Sequence, residues 1–310
     1  MKFIHQEFTQ NTDKKEWVII IGNFDGFHCG HQILIKQLLE DKKKFNSNAG
    51  IITFDPHPKK VLQPHVPFNQ IYDNDQKCKF IKNSGLDACF VISFSKEFSN
   101  LSPSEFIAKL FKFIKLKKII VGYDFNFGKN RQGSTNLLKQ EAEKNNIIFH
   151  QNEPVKIDTI TISSTMIRRL LFEGEFVEVK KYLGRDWEIE GVVKSGKGLG
   201  RKIGIPTLNL EPSVIYPVKN GVYAVVAEIE GKAYQAVCNI GYRPTFSEKK
   251  YVVEVHLFDF NKSIIDIKIS IKPRVFIREE SIFEGVDQLT SQIQKDIMQA
   301  KHYFQEQVIV

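Results

Sequence analysis

The hydrophobic period changes once along this chain, and the change bounds what it can fold into. From residue 17 to about 184, short apolar runs alternate with helical patterns. Trp17–Ile21 and residues 51–54, 88–92, 118–122 and 147–149 read as strands. Between them, Ile33, Leu34, Leu38 and Leu39 fall at helical spacing, and residues 76–83, 103–114 and 135–144 continue the series. Strands that alternate with helices predict a parallel sheet with right-handed crossovers, whose ligands bind beyond the carboxyl ends of the strands. From Trp187 the period becomes two, in runs at 187–194, 222–229, 233–240, 251–258 and 264–272 separated by Gly, Pro, Asn and Lys turns. That pattern predicts a small antiparallel barrel or sandwich. A helix over 286–307 closes the chain, with Leu289, Ile293, Ile297 and Phe304 on one face. The boundary falls at Gly184-Arg185-Asp186, which gives domains 1–184 and 185–310. A length of 310 residues suits two domains, at the usual size of about 100–200 residues each.

Charge and cysteine content narrow the class. A net charge of +8 fits a nucleic-acid binder and equally an enzyme that holds polyanions such as ATP. The lysine runs at 42–44 and 115–118 read as solvated helix faces and ends. Basic and exposed aromatic residues do not alternate along one strand face, so a nucleic-acid partner is not expected. Cys29, Cys78, Cys89 and Cys238 form no Cys-x-x-Cys pair, which suits reduced thiols rather than a disulfide framework. The first residues carry no apolar signal core, and no apolar run approaches the roughly 20 residues of a membrane span. A cytoplasmic protein without a membrane partner is the expectation.

The first candidate site is Gly22-Asn23-Phe24-Asp25-Gly26-Phe27-His28-Cys29-Gly30-His31. It runs from the end of a strand into a helix. Gly22 and Gly26 let the backbone turn sharply and approach a ligand. The helix start offers unpaired N–H groups and a positive dipole end, a natural phosphate seat. His28 and His31 are spaced to share one face of the first turn, and both can donate to phosphate oxygens. Two surface histidines beside a tight turn, a zinc site using His28, Cys29 and His31, and phosphate chemistry all remain open on this spacing. The zinc reading lacks a nearby fourth ligand, and adjacent ligands fit a tetrahedron poorly. Two further segments favour phosphate. Gly122-Tyr123-Asp124-Phe125-Asn126-Phe127-Gly128, with Arg131 and Gly133, begins where a strand ends. In Ile162-Ser163-Ser164-Thr165-Met166-Ile167-Arg168 a serine is placed to cap a helix, with Arg168 one turn in.

The second candidate site lies in the β half. Gly196-Lys197-Gly198-Leu199-Gly200-Arg201-Lys202-Ile203-Gly204 can cover phosphates with backbone N–H groups, but it is not a P-loop, which needs Gly-Lys-Ser/Thr at a helix start. Thr207 and Asn209, two apart on an extended segment, point the same way. Two neutral oxygens suit a magnesium ion that keeps waters and bridges ATP phosphates. In Val253-Glu254-Val255-His256-Leu257 the apolar residues face the core, and Glu254 and His256 share the opposite face.

Taken in order, Gly-x-Phe-Asp-Gly-x-His-x-Gly-His, Asp55-Pro56-His57-Pro58, Gly-x-Asp-Phe-x-Phe-Gly and Ser-Ser-Thr-x-Ile-Arg resemble the bifunctional bacterial riboflavin kinase/FAD synthetase family. The β half adds the same family's Pro-Thr-x-Asn, Asn-Gly-Val-Tyr, Asn-Ile-Gly-x-Arg-Pro-Thr and Glu-x-His-Leu. The resemblance spans nearly all of residues 17–305. It implies a Rossmann-like α/β nucleotidyltransferase domain followed by a small antiparallel β-barrel with a C-terminal helix. It implies that riboflavin becomes FMN and then FAD, with ATP consumed at both steps and Mg2+ as the metal. The alternative is a monofunctional FMN adenylyltransferase with a degenerate, flavin-binding kinase barrel. By resemblance His28, His31 and Arg168 are catalytic in adenylyl transfer. Gly22, Phe24, Asp25, Gly30, Ser164 and Thr165 bind its ATP, and His57, Asp124, Asn126 and Arg131 line the flavin side. In the kinase half, Gly196, Gly200 and Arg201 bind ATP, Thr207 and Asn209 hold the metal, Arg243 and Thr245 bind flavin, and Glu254 is the base. Small-molecule substrates and a monomer or weak oligomer are expected. Two departures from the family stand out: Leu208 replaces a small residue beside the metal ligands, and Ile265-Asp266 replaces a common Tyr-Gly pair.

Overall fold

A computed structural model describes residues 2–6, 15–196, 198–244, 249–262 and 264–307. The chain forms two compact units, one of Met1–Phe68 and Asn74–Ser163, the other of Asn69–Asp73 and Ser164–Val310.

In the first unit the elements run β1 (Lys2–Gln6), β2 (Trp17–Ile21), α1 (Cys29–Phe45), β3 (Asn48–Asp55), α2 (Pro58–Leu62), α3 (Asn74–Lys82), β4 (Ala88–Ser93), α4 (Lys96–Ser99), α5 (Pro103–Phe113) and β5 (Leu116–Val121). A 3-10 turn at Lys129–Arg131, α6 (Thr135–Lys144), β6 (Ile148–Gln151) and a short hairpin, β7 (Lys156–Ile157) and β8 (Ile160–Thr161), complete it. The six-stranded sheet has the order β1-β4-β3-β2-β5-β6, and all its pairings are parallel. Every residue of β2 is buried, as a central parallel strand covered on both faces requires. One core face holds Ile19, Ile21, Phe90, Leu110 and Phe113; the other holds Val18, Ile20, Leu38, Ile51 and Cys89. The helices start where local chemistry says they should. Ser102 caps α5 in a reciprocal capping box with Glu105, and Pro103 follows in the first turn. Lys42, Lys43 and Lys44 close the last turn of α1, where they complement the helix dipole. The second lysine run differs from the expected solvated helix end. Leu116–Val121 is a strand, and Lys118 is drawn inside by Asp41, with Nζ to Oδ2 at 2.6 Å.

In the second unit α7 (Ser164–Glu173) and α8 (Phe176–Leu183) precede β9 (Ile189–Lys194), α9 (Leu199–Lys202), β10 (Leu208–Glu211), β11 (Gly221–Ile229), β12 (Lys232–Pro244), β13 (Lys249–Leu257), β14 (Lys268–Arg278) and α10 (Val286–Gln307). The strands close into an antiparallel barrel in the order β10-β13-β12-β11-β14-β9, so the barrel, not the sandwich, is the form adopted. Closure leaves no open sheet edge. Val253, Val255 and Leu257 are buried, as the alternation predicts. The apolar face of α10 packs Ala300 and Phe304 against Val222, Ala224 and Val237. No helix among the described residues is long and apolar enough to cross a membrane.

Candidate active sites

In the first unit the strand order places β3, β4 and β1 on one side of β2, and β5 and β6 on the other. The order therefore reverses between β2 and β5, whose ends pair as Ile21 with Val121. Gly22 and Gly122 directly follow these two paired ends. Both loops singled out from the sequence thus leave the crevice where open α/β sheets bind ligands.

The first loop is held in an uncommon conformation. Phe24, Gly26 and Phe27 all have positive φ, at 51°, 82° and 42°. Non-glycine residues rarely adopt that region. Burial of both phenylalanines, Phe24 at 1% and Phe27 at 6% exposure, holds it there. The Gly22 N–H donates to the Ile52 carbonyl at 3.1 Å and the Phe27 N–H to the Phe24 carbonyl at 3.2 Å. His28 then caps α1. Its Nδ1 accepts from the His31 N–H at 3.4 Å, so the proton of the neutral ring sits on Nε2. The two imidazoles stack with centroids 3.7 Å apart and planes 16° from parallel. Stacked rings do not converge on one ion, which sets the zinc reading aside. Gly30 suits this packing, because a Cβ there would lie 3.0 Å from the His28 ring and the ring would have to shift to admit it. Asp25 and His28 are buried, and His31 is half-buried.

The second loop is built on aromatic packing. Phe127 pairs with Gly133 through N–H to carbonyl bonds of 3.1 and 2.9 Å, and a Cβ on Gly133 would lie 2.5 Å from the Phe127 ring. Phe125 stacks on Phe127. This scaffold leaves Asp124, Asn126 and Arg131 exposed, with the Asn126 Nδ2 donating to the Asp124 carbonyl at 2.8 Å. At the end of β3, Asp55 accepts from the Asn74 amide at 2.7 Å. His57 caps α2, its Nδ1 accepting from the Lys59 N–H at 3.2 Å, and its ring lies 4.4 Å from that of Phe68. Ser164, Thr165 and Arg168 lie on α7, in the second unit. The Arg168 Nε donates to the Asn69 carbonyl at 3.0 Å.

In the barrel, register assembles the second site. Asn209 of β10 and Asn239 of β12 both pair with Glu254 of β13, one on each side. Lys194 of β9 pairs with Asn209 from the other edge. All four sit on the outward face, since their neighbours Leu210, Val253 and Val255 are buried. The connection from β9 to β10 carries the glycine-rich segment, which forms the short α9. A Cβ on Gly196 would overlap the Asn209 carboxamide, and one on Gly200 would lie 3.1 Å from the Thr207 hydroxyl. The glycine-rich segment is therefore apposed to both Asn209 and Thr207. His256 Nδ1 donates to the Pro206 carbonyl at 2.8 Å and so fixes the turn before Thr207. Among the described residues no group of three or more His, Cys, Asp or Glu side chains gathers as a metal cage. The neutral Thr207 and Asn209 oxygens fit a magnesium ion that keeps waters and phosphate oxygens as its other ligands.

Arg201 is exposed on α9. Arg243 lies on β12, where its backbone pairs with Lys250, and Thr245 falls outside the described residues. Leu208 pairs with Val255 on the inward face, so its bulk points away from Asn209. Asp266 adopts φ 59°, a conformation that Gly takes freely and Asp tolerates. Its carboxylate accepts from Lys194 Nζ at 2.7 Å. Asn239 and His256 stand in sequence motifs that assign them no role. Asn239 meets Glu254 through strand register, and His256 meets the Pro206 carbonyl through its side chain; no spacing in the sequence shows either contact.

Comparison with known proteins agrees on both halves. Residues 10–166 match the family model for FAD synthetase, and residues 183–304 match that for riboflavin kinase. The chain is 38% identical to the bifunctional riboflavin kinase/FMN adenylyltransferase of Buchnera aphidicola subsp. Schizaphis graminum, over 92% of this chain and 93% of that one. It is 36% identical to the protein of the same name from Bacillus subtilis, over 98% of each chain. A crystal structure from Streptococcus pneumoniae, described as a macrolide-efflux protein, shares the fold with TM-score 0.80 and 30% identity, covering 96% of this chain and 98% of that one.

Proposed function

The chain belongs to the bifunctional riboflavin kinase/FMN adenylyltransferase family, and we propose that its two activities reside in the two sites built above. It is a riboflavin kinase and an FMN adenylyltransferase. Residues 1–184 carry adenylyl transfer and residues 185–310 carry the kinase, a division supported by the spans of the two family matches.

In adenylyl transfer a phosphate oxygen of FMN attacks the α-phosphorus of ATP, the bond to the β-phosphate breaks, and pyrophosphate leaves. A phosphate monoester with a second pKa of about 6 is mostly dianionic at neutral pH. It needs no general base, so alignment and charge neutralisation suffice. His28 offers its Nε2 proton to a phosphate oxygen, beside the start of α1 and His31. Gly22, Phe24, Asp25 and Gly30 shape the seat, and Asp124, Asn126, Arg131 and His57 face the flavin. Ser164, Thr165 and Arg168 are assigned to the triphosphate by the resemblance. The position of Gly22 and Gly122 at the point where strand order reverses carries this reading.

The kinase nucleophile is different. The terminal ribityl hydroxyl of riboflavin attacks the γ-phosphorus of ATP, and ADP leaves. An alcohol needs a base, and Glu254 takes its proton. Thr207 and Asn209 would hold a magnesium ion, which supplies charge neutralisation between the ATP phosphates. Gly196, Gly200 and Arg201 cover those phosphates, and Arg243 and Thr245 bind flavin. Placement of Glu254 beside Asn209 in the barrel register carries this reading. The substrates suit a cytoplasmic enzyme, as a monomer or weak oligomer.

Separation of flavins after incubation with ATP and magnesium tests both assignments. The double variant His28→Ala, His31→Ala is expected to convert riboflavin to FMN but to form no FAD. Glu254→Gln is expected to make no FMN from riboflavin yet to form FAD from supplied FMN. A variant that abolished both steps would show the two-site assignment to be wrong.

A further inference from the structure

We infer that Lys77 is a positioning residue for adenylyl transfer, setting the Gly22–His31 loop and supplying the buried positive charge that the substrate's phosphates neutralise. The inference rests on the reading of that loop as the phosphate seat. Lys77 lies on α3 and is 8% exposed. Its ammonium donates to the Thr53 hydroxyl at 3.5 Å, within the interior. Thr53, on β3, is fully buried, and its hydroxyl donates to the Asn23 carbonyl at 3.2 Å. Asn23 stands between Gly22 and the strained Phe24.

The direction of this relay follows from donor inventory. An ammonium has protons and no acceptor, so the Thr53 oxygen must accept from it. The single hydroxyl proton is then committed to Asn23. Lys77 thus fixes the orientation of a buried side-chain hydroxyl that anchors the loop at Asn23.

The charge of Lys77 is the second observation. A buried ion is costly unless it is paired. Among the described residues of this unit the other buried lysine obeys that rule, since Lys118 meets Asp41 at 2.6 Å. No carboxylate among the described residues lies within ion-pair distance of Lys77. Its neighbour on β4, Cys89, supplies no anion, because burial pushes that thiol up to about 12. The ammonium therefore lies one hydroxyl away from the loop, with no counterion among the described residues. A polyphosphate bound at the loop is the anion whose charge matches it. In a low-dielectric interior that attraction acts without direct contact. As negative charge grows on the departing pyrophosphate, the attraction grows with it.

The test uses the full chain, in which the kinase serves as an internal control of folding. Lys77→Met is expected to lower kcat/KM for FAD formation at least tenfold while FMN formation stays within twofold. Two inhibitors then separate charge from shape. Pyrophosphate should inhibit Lys77→Met at least fivefold more weakly, whereas adenosine, which carries no phosphate, should inhibit it within twofold of the native value. Lys77→Arg keeps the charge and should retain pyrophosphate inhibition. If Lys77→Met gives no soluble chain, Lys77→Gln, which keeps an N–H donor without the charge, carries the same expectations. Unchanged FAD formation in the neutral variant would overturn the inference. So would an equal loss of pyrophosphate and adenosine inhibition, which marks a purely structural lysine. Loss of FAD formation in the His28, His31 variant alongside normal Lys77→Met activity would remove only this inference. Normal FAD formation in the histidine variant would remove the phosphate-seat reading itself.

Discussion

Gly196 shows how much a single missing Cβ can carry. Its Cα sits against the Asn209 carboxamide so closely that alanine would push the amide aside. Asn209 is one of two proposed magnesium ligands and pairs with Glu254. Displacement of a positioning group by about 1 Å can cost roughly 100-fold in rate. Gly196→Ala should therefore reduce FMN formation by about that factor, raise the magnesium requirement and leave FAD formation from FMN intact, as steady-state assays at varied magnesium would read. At this scale the sequence was most informative where function needs contiguous residues. His28, Gly30 and His31 lie within one turn, and the structure describes each: a cap, a glycine whose Cβ would crowd the His28 ring, and a stacked ring. It was least informative where residues meet across strands. Asn239 joins Glu254 only through the pairing of β12 with β13, and Lys77 reaches Thr53 only through the packing of α3 on β3. No spacing in the sequence encodes either encounter.

Among the elements, α10 depends on one ion pair as well as on its apolar face. Arg278 at the end of β14 donates from Nε and a terminal nitrogen to the two oxygens of Asp296, at 2.8 and 2.7 Å. The Asp296 side chain is only 3% exposed, and Gln292 donates to it as well at 2.9 Å. Removal of the acid would leave a guanidinium partly buried without its anion. Asp296→Ala should cost about 3 kcal/mol, measured by calorimetry of the full chain, with the unfolding transition that abolishes kinase activity moving down. The helix itself was legible over residues 286–307, as was Thr135–Lys144, because long periodic runs declare themselves, and Trp17–Ile21 was legible as an unbroken apolar run. β1 was not foreseen, since Lys2-Phe3-Ile4-His5-Gln6 has only two apolar residues and becomes a strand by pairing with β4. The four residues of β10 were too few to show a period, yet they close the barrel between β13 and β9.

At the scale of the whole molecule, the chain does not divide at one point. Five residues, Asn69–Asp73, pack within the second unit although both flanks belong to the first. The Trp187 indole donates to the Ile71 carbonyl at 2.8 Å, Ser213 donates to Asp73 at 2.6 Å, and the Asn69 amide donates to the Tyr216 carbonyl at 3.2 Å. Phe176 of α8 stacks on Trp187, and Arg274 of β14 grips Asp186 through both of its terminal nitrogens. The change of period near Gly184 marks where barrel sequence begins, not where barrel packing begins. A fragment of residues 185–310 loses the partners of Trp187 and Tyr216, so its urea midpoint should lie well below that of the kinase transition in the full chain. Equal midpoints would show that the segment 69–73 and α8 add nothing to the barrel. In the proposed function one chain holds two chemically separate sites joined by a common intermediate, FMN. The most direct measurement mixes two full-length variants, Glu254→Gln and the double His28→Ala, His31→Ala, with riboflavin, ATP and magnesium. Neither alone should turn riboflavin into FAD. Together they should, because the histidine variant supplies FMN and the glutamate variant consumes it. A mixture that accumulates FMN without FAD, or forms no FMN at all, would contradict the claim.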